Sequence, residues 1–425
     1  MSYGTHISPA QTRPASHFIH PSWRMAAIAF IGMAFGQTSM TFLTFGTFMK
    51  PLGEEFGWSR GQAAAALSII SVMLLIFTPV AGRLIDRHGA RRVLLPSMAG
   101  LGLVLCTMFF LTSSLAHFYL MFAILGIVGV AANNVSYVRV LIAWFTTRRG
   151  LAIGIASAGT AAGQSIGIGL AQYLITDYGW RIAYVGLGLA VLLIGLPIVA
   201  WFLRDLPSDV GLAPYAKPTH GGAAIDAGFS IDRKEALRMP VFWALLAIAF
   251  LMATALHGIQ IHFVPMLLDA GIHPGQVAGV IVSLLTFGAI VGRIVTGMLF
   301  DRFFAPRVAM FVFMLPIVGL FFVLENVGIW GLYAGALFFG IGLGSESDVL
   351  GYFTSRYFGL KSMGELYGLV FGAFMGGTAL GPVLYGVMQS HYGNYRIALF
   401  CSIGMLAAVC LLCAMLPRFK DLRDV

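Results

Sequence analysis

Apolar runs of about twenty residues, bounded by charged residues or by Pro and Gly, recur twelve times along the chain. They predict twelve membrane-spanning helices, roughly 24–49, 62–82, 93–113, 117–143, 150–175, 181–203, 240–268, 276–299, 308–325, 330–355, 364–388 and 396–416. The first 23 residues hold His6, His17, His20 and several Ser and Pro with no continuous apolar core, which reads as a tail rather than a secretory signal. The longest hydrophilic stretch, 204–239, carries Pro207, Gly211, Pro214, Pro218, Gly221 and Gly222 and predicts a linker between two six-helix halves, 24–203 and 240–416, with a short tail at 417–425.

Composition agrees: 59% of the 425 residues are hydrophobic and 10% charged, which excludes a water-soluble globule. The 52 glycines suit helices that pack closely in lipid. The four cysteines, Cys106, Cys401, Cys410 and Cys413, fall in apolar runs without zinc-type spacing or a disulfide framework. A formal charge of +9 raises the question of nucleic acid, and the distribution of charge answers it. Of the 26 Lys and Arg, 20 lie in the two tails, the linker and the loops after helices 2, 4, 8 and 10. Only Lys50, Arg60, Arg181 and Arg396 lie on the opposite side, and Arg139 and Arg293 fall inside helices. By the positive-inside rule this places both termini in the cytoplasm and makes the excess charge a topology signal, with no nucleic-acid partner.

The halves are related. Gly82-Arg83-Leu84-Ile85-Asp86-Arg87 through Arg92-Val93 recurs as Gly297-Met298-Leu299-Phe300-Asp301-Arg302 through Arg307-Val308, an offset of 215. Tyr178-Gly179-Trp180-Arg181 returns near Tyr392, Gly61-Gln62 as Gly275-Gln276, and Trp144-Phe145 as Tyr357-Phe358. Duplicated membrane halves with a site between them near the bilayer midplane are the architecture of secondary transporters.

The run GRLIDRHGARR (Gly82–Arg92) resembles the signature loop of the major facilitator superfamily, and GMLFDRFFAPR (Gly297–Arg307) is its weaker second copy. Physically, Gly82 permits close helix approach, Asp86 can meet a neighbouring helix end, and Arg87 and Arg92, like Arg307, can anchor the loop in anionic headgroups. The expectation is a latch made in one of two states, built from Gly82, Asp86, Arg87, Arg92, Asp301, Arg302 and Arg307; topology anchoring alone is the alternative. Within the superfamily, Trp144 to Gly159 is similar to the helix 4–5 signature of the monocarboxylate porter branch. SRYFGLKSMGELYG (Ser355–Gly368) and RDLPSDVGLAP (Arg204–Pro214) look like its bacterial members. The resemblance implies an all-α membrane protein of two pseudo-symmetric six-helix bundles in a bacterial inner membrane. Two positions depart from the branch: helix 1 opens with His20-Pro21-Ser22-Trp23-Arg24, and the helix 8 acid of its relatives is Ala289.

Ionisable groups inside helices are costly and face a cavity or a partner. Arg293 matches the helix 8 arginine that the resemblance implies will hold a substrate carboxylate; a structural pair with a helix 10 acid is the other reading. Glu346 and Asp348 are two residues apart, about 200° around a helix, so one is expected in the cavity and the other in a charge network with Arg139, Arg302 or Arg356. The repeat maps Glu346 onto Asn133 and favours Glu346 as the proton-coupling acid over Asp348. Asn133 with Tyr137, and Gln37 with Thr41 and Thr44, form polar stripes that suit a cavity wall or interhelical hydrogen bonding. His257 is a candidate proton carrier or a buried structural histidine. The functional expectation is alternating-access transport of a small monocarboxylate; the resemblance implies proton-coupled symport, and organic anion exchange is the alternative. A drug or sugar porter fits less well, since helix 5 reads GTAAGQSIG (Gly159–Gly167) without proline, and a sensor would be expected to carry a long soluble domain. No metal cluster, Walker loop or nucleophile motif suggests an enzyme or a cofactor, and a monomer is the expected functional unit.

Overall fold

The computed structural model describes residues 20–42, 44–216, 231–269, 271, 280–325 and 327–419. The first nineteen residues, the linker segment 217–230, the predicted start of helix 8 at 276–279 and the last six residues lie outside them.

Among the described residues the chain is helical, with one isolated bridge, Phe145 to Tyr215, and no strand. Eleven helices are long and apolar enough to cross a membrane. They are α1 (Pro21–Phe56), α2 (Arg60–His88), α3 (Ala90–Phe110), α5 (Arg149–Tyr178), α6 (Trp180–Phe202), α7 (Pro240–Asp269), α8 (Val282–Arg302), α9 (Ala305–Leu324), α10 (Gly328–Phe358), α11 (Met363–Tyr392) and α12 (Arg396–Met415). The predicted fourth span is present but broken into α4a (Leu115–Val128) and α4b (Asn134–Trp144). Broken backbone of this kind is tolerated at membrane depth only where protein or a cavity surrounds it.

Two local features explain where helices begin and bend. α2 opens on a reciprocal cap in which Ser59 Oγ accepts from the Gln62 N–H and Gln62 Oε1 accepts from the Ser59 N–H, so two orphan donors are satisfied. α1 is regular only to Ala34; a π-turn over Thr38–Phe42 and a 3-10 turn over Phe45–Phe48 lead into Met49–Phe56. A π-turn adds a residue to the helical repeat and rotates every side chain after it by about 100°.

Contact between the halves runs along two seams, α2 against α11 and α5 against α8. The first and last described residues and the described ends of the linker gather at one end of the bundle. His20 packs on Tyr215 with ring centroids 5.0 Å apart, and Phe419 packs on Tyr357 at 4.8 Å. The linker is tied to equivalent points of the two halves: the Tyr215 N–H donates to the Trp144 carbonyl at the end of α4b, and the Ile231 N–H to the Phe358 carbonyl at the end of α10. Both carbonyls belong to the repeated aromatic pair, Trp144-Phe145 in one half and Tyr357-Phe358 in the other, one residue out of register.

Candidate functional site

At the linker-bearing end the seams close tightly. A Cβ built on Gly82 would stand 1.9 Å from the Gly364 carbonyl oxygen, and one on Gly150 would stand 2.2 Å from that of Gly297. Any side chain at either position would hold the halves apart, so only glycine permits this closure. The two crossings are related by the internal repeat, and each places an aspartate beneath a helix N-terminus of the other half. Asp86 accepts the N–H groups of Gly364 and Glu365 at 2.9 Å each, at the start of α11. Asp301 accepts those of Gly150 and Leu151 at 2.8 and 2.9 Å, at the start of α5. Each carboxylate satisfies two orphan donors and meets the positive end of a helix dipole. Arg139 Nε lies 3.4 Å from Asp86, an ion pair within one half. Glu365 adds a third tie, pairing with Arg83 of the other half at 2.6 Å and with the linker's Arg233 at 3.1 Å.

Of the predicted latch residues, Gly82, Asp86 and Asp301 are thus brought to the closure. Arg87, Arg92, Arg302 and Arg307 are exposed beside it, the last two over the rings of Phe303 and Phe304. The expectation that these arginines form part of the latch is corrected: backbone N–H groups occupy the aspartate oxygens. Sequence alone did not single out Arg83 and Glu365, opposite charges that each follow one of the two glycines that meet at the crossing.

Above this floor lies a cavity of about 320 Å³ between the halves. Arg293 reaches it from α8. Eight residues separate Arg293 from Asp301, about 12 Å of helix, so it stands some two turns above the latch. Its guanidinium donates to the Ser157 carbonyl of α5, and among the described residues no carboxylate lies within ion-pairing distance. Opposite it, His257 of α7 and Glu346 of α10 meet at 2.9 Å (Nε2 to Oε1), while His257 Nδ1 is 2.9 Å from Gln260 Oε1. All three residues line the cavity, and the second oxygen of Glu346 is buried without a hydrogen-bond partner.

Other predicted positions fall elsewhere. Asp348 is buried beneath the cavity, near the crossing of Gly154 with Arg293, and pairs with none of Arg139, Arg302 and Arg356. The expected network is corrected because Arg139 is engaged by Asp86, and Arg302 and Arg356 lie over aromatic rings nearer the linker end. Asn133 and Tyr137 form no helical stripe. Asn133 caps α4b through its Oδ1, which accepts from the Asn134 N–H and from Thr38 Oγ1. Tyr137 is wholly buried, closing on Gly32 of α1 with its hydroxyl on Met98 Sδ. The break in helix 4 turns Asn134 into the cavity instead. Asn133 followed by Asn134 was a legible helix start, since Asn favours the N-cap.

Helix 1 shows the same displacement. Gln37 lines the cavity and donates to the Leu125 carbonyl at 3.0 Å, but Thr41 and Thr44 are buried away from it. The π-turn rotates them out and presents Thr38 and Phe42 in their place.

A family profile now decides what this architecture is. The profile of the Major Facilitator Superfamily matches residues 25–382. The chain belongs to that superfamily. Human monocarboxylate transporter 11 is 28% identical over 415 residues, covering 93% of this chain and 83% of that protein. Human monocarboxylate transporter 2 is 24% identical over 408 residues, covering 90% and 84%. Among solved structures, the superfamily's proton:xylose symporter XylE superposes with a TM-score of 0.73 at 12% identity, covering 95% of this chain and 98% of that one. This superfamily member is a multi-pass membrane transporter, and its two closures and central cavity are the parts that a transport cycle requires.

Proposed function

We propose that this transporter carries a small organic monocarboxylate by alternating access, in symport with a proton. The observation that carries the reading is Arg293, a cation in a cavity between the halves whose fork has no carboxylate within ion-pairing distance among the described residues. A guanidinium stays charged when buried, and its planar donors match the two oxygens of a carboxylate. The similarity to monocarboxylate transporters over nine-tenths of the chain supports the same substrate class.

Charge balance supplies the coupling. Adding a carboxylate brings one negative charge into a cavity that already holds Glu346. A proton taken up by the His257–Glu346 pair restores the charge of the empty cavity, so that loaded and empty carriers cross the low-dielectric interior at similar electrostatic cost. Neither charge is stabilised by the lipid, so the two ligands move together. The distribution of Lys and Arg supports a bacterial inner-membrane orientation with both termini, and hence the aspartate latches, on the cytoplasmic side. Counterflow in proteoliposomes against a panel of carboxylates, with internal pH recorded, tests the proposal. Substrate-driven acidification that is lost in Arg293→Ala is expected. Exchange without pH change would replace symport with antiport, and uptake unaffected by Arg293→Ala or Arg293→Lys would overturn the mechanism.

A further inference from the structure

The wall facing the charged groups carries information about the rest of the substrate. From α11, Phe371 and Phe374 line the cavity one helical turn apart, stacked with centroids 5.5 Å apart and planes at 26°. Both are buried, at 2% and 4% exposure, so they are not lipid-facing residues, and both contribute to the cavity wall. Phe374 also meets the His257 ring edge-on at 5.6 Å, and His257 is bound to Glu346. An aromatic surface therefore begins directly beside the His257–Glu346 pair, in the cavity that Arg293 also lines. Met375 extends it along α11, and Ile70 and Leu74 face it from α2.

Size points the same way. A cavity of about 320 Å³ falls within the range of sites that enclose a small organic molecule. A single-ring acid, with about ten to twelve non-hydrogen atoms, belongs to that ligand size and can cover the phenylalanine wall.

Resting on the monocarboxylate reading above, we infer that the substrate is an aryl monocarboxylate, its carboxylate held by Arg293 and its ring against Phe374 and Phe371. Ring faces offer a quadrupole as well as area, so a flat aromatic body is selected over a saturated one of equal volume. Phe374 is then a specificity-determining residue, and Arg293 serves every carboxylate alike.

The test is counterflow in proteoliposomes of the full chain with three radiolabelled probes: propionate, phenylacetate and cyclohexylacetate. Phenylacetate is expected to exchange with an apparent affinity at least tenfold better than propionate and about threefold to tenfold better than cyclohexylacetate. Phe374→Leu keeps apolar bulk and is checked for folding by monodispersity in detergent. In that variant the preference for phenylacetate over cyclohexylacetate is expected to collapse, a ratio that loss of active protein alone does not change. Propionate preferred over phenylacetate, or equal use of the two ring acids, would overturn the aryl assignment while leaving the carboxylate reading in place. Exchange of none of the three would overturn both.

Discussion

Replacing either latch aspartate by asparagine should loosen the linker-bearing end by an amount that can be worked from the contacts. Asp86 accepts two backbone N–H groups at 2.9 Å, and Asp301 accepts two at 2.8 and 2.9 Å. Asparagine preserves the shape but presents one acceptor and one donor, so one of the two bonds is lost and a second donor faces an N–H. A hydrogen bond to a charged group contributes about 1.5–3 kcal/mol. A carboxylate at a helix N-terminus adds about 0.3–1 kcal/mol. Each substitution therefore shifts the closed state by about 2–4 kcal/mol, or about thirtyfold to a thousandfold in the ratio of closed to open carriers. Nitroxide labels at Arg87 and Arg302, both exposed and on opposite halves, report the separation by pulsed dipolar spectroscopy. The parent chain should give a single short distance. Asp86→Asn and Asp301→Asn should each add a longer one, and the double variant should make it dominant. An unchanged distance distribution in the double variant would show that the aspartates do not hold this end, and the capping argument would be wrong.

Further outcomes follow from the cavity and the closures. His257→Gln and Glu346→Gln should each flatten the pH dependence of uptake while leaving pH-independent exchange measurable; an unaltered profile in both would remove the pair from coupling. Asn134→Ala should impair uptake more than Tyr137→Phe, whose hydroxyl bonds the Met98 sulfur away from the cavity, and the reverse order would contradict the break in helix 4. Gly82→Leu should prevent the α2–α11 seam from closing and abolish cycling while the protein stays monodisperse, since the clash is with the opposite half rather than within its own. Glu365→Gln removes partners of both Arg83 and Arg233 and should lengthen the same spin-label distance more modestly than the aspartate changes, because both arginines are partly exposed to water.

Spans, the duplication and the embedded charges were legible because each follows from a strong energetic rule: apolar length, repeated order and the cost of burying charge. Arg293, His257 and Glu346 stand out in sequence for the same reason, and the structure brings them to one cavity. What sequence did not yield is the register of the broken helices. Gln37, Thr41 and Thr44 align on an ideal helix, yet the π-turn over Thr38–Phe42 leaves only Gln37 in place. Asn133 and Tyr137 fail likewise because α4b starts anew at Asn134. Periodicity assumes 3.6 residues per turn, and a single inserted or uncoiled residue defeats it without any change in hydropathy. The latch partners were hidden for a different reason: peptide N–H groups have no letter in the sequence.

That last property has an evolutionary edge. Every residue except proline supplies the N–H that Asp86 and Asp301 seek, so the receiving side of each latch can drift freely provided the crossing glycines remain. A statistical search for covarying residue pairs would find no mate for either aspartate in the half it caps; Asp86 has a side-chain partner, Arg139, only in its own half. Chimaeras joining the first half of this chain to the second half of a distant relative should still engage both latches, which makes the halves of this carrier interchangeable parts.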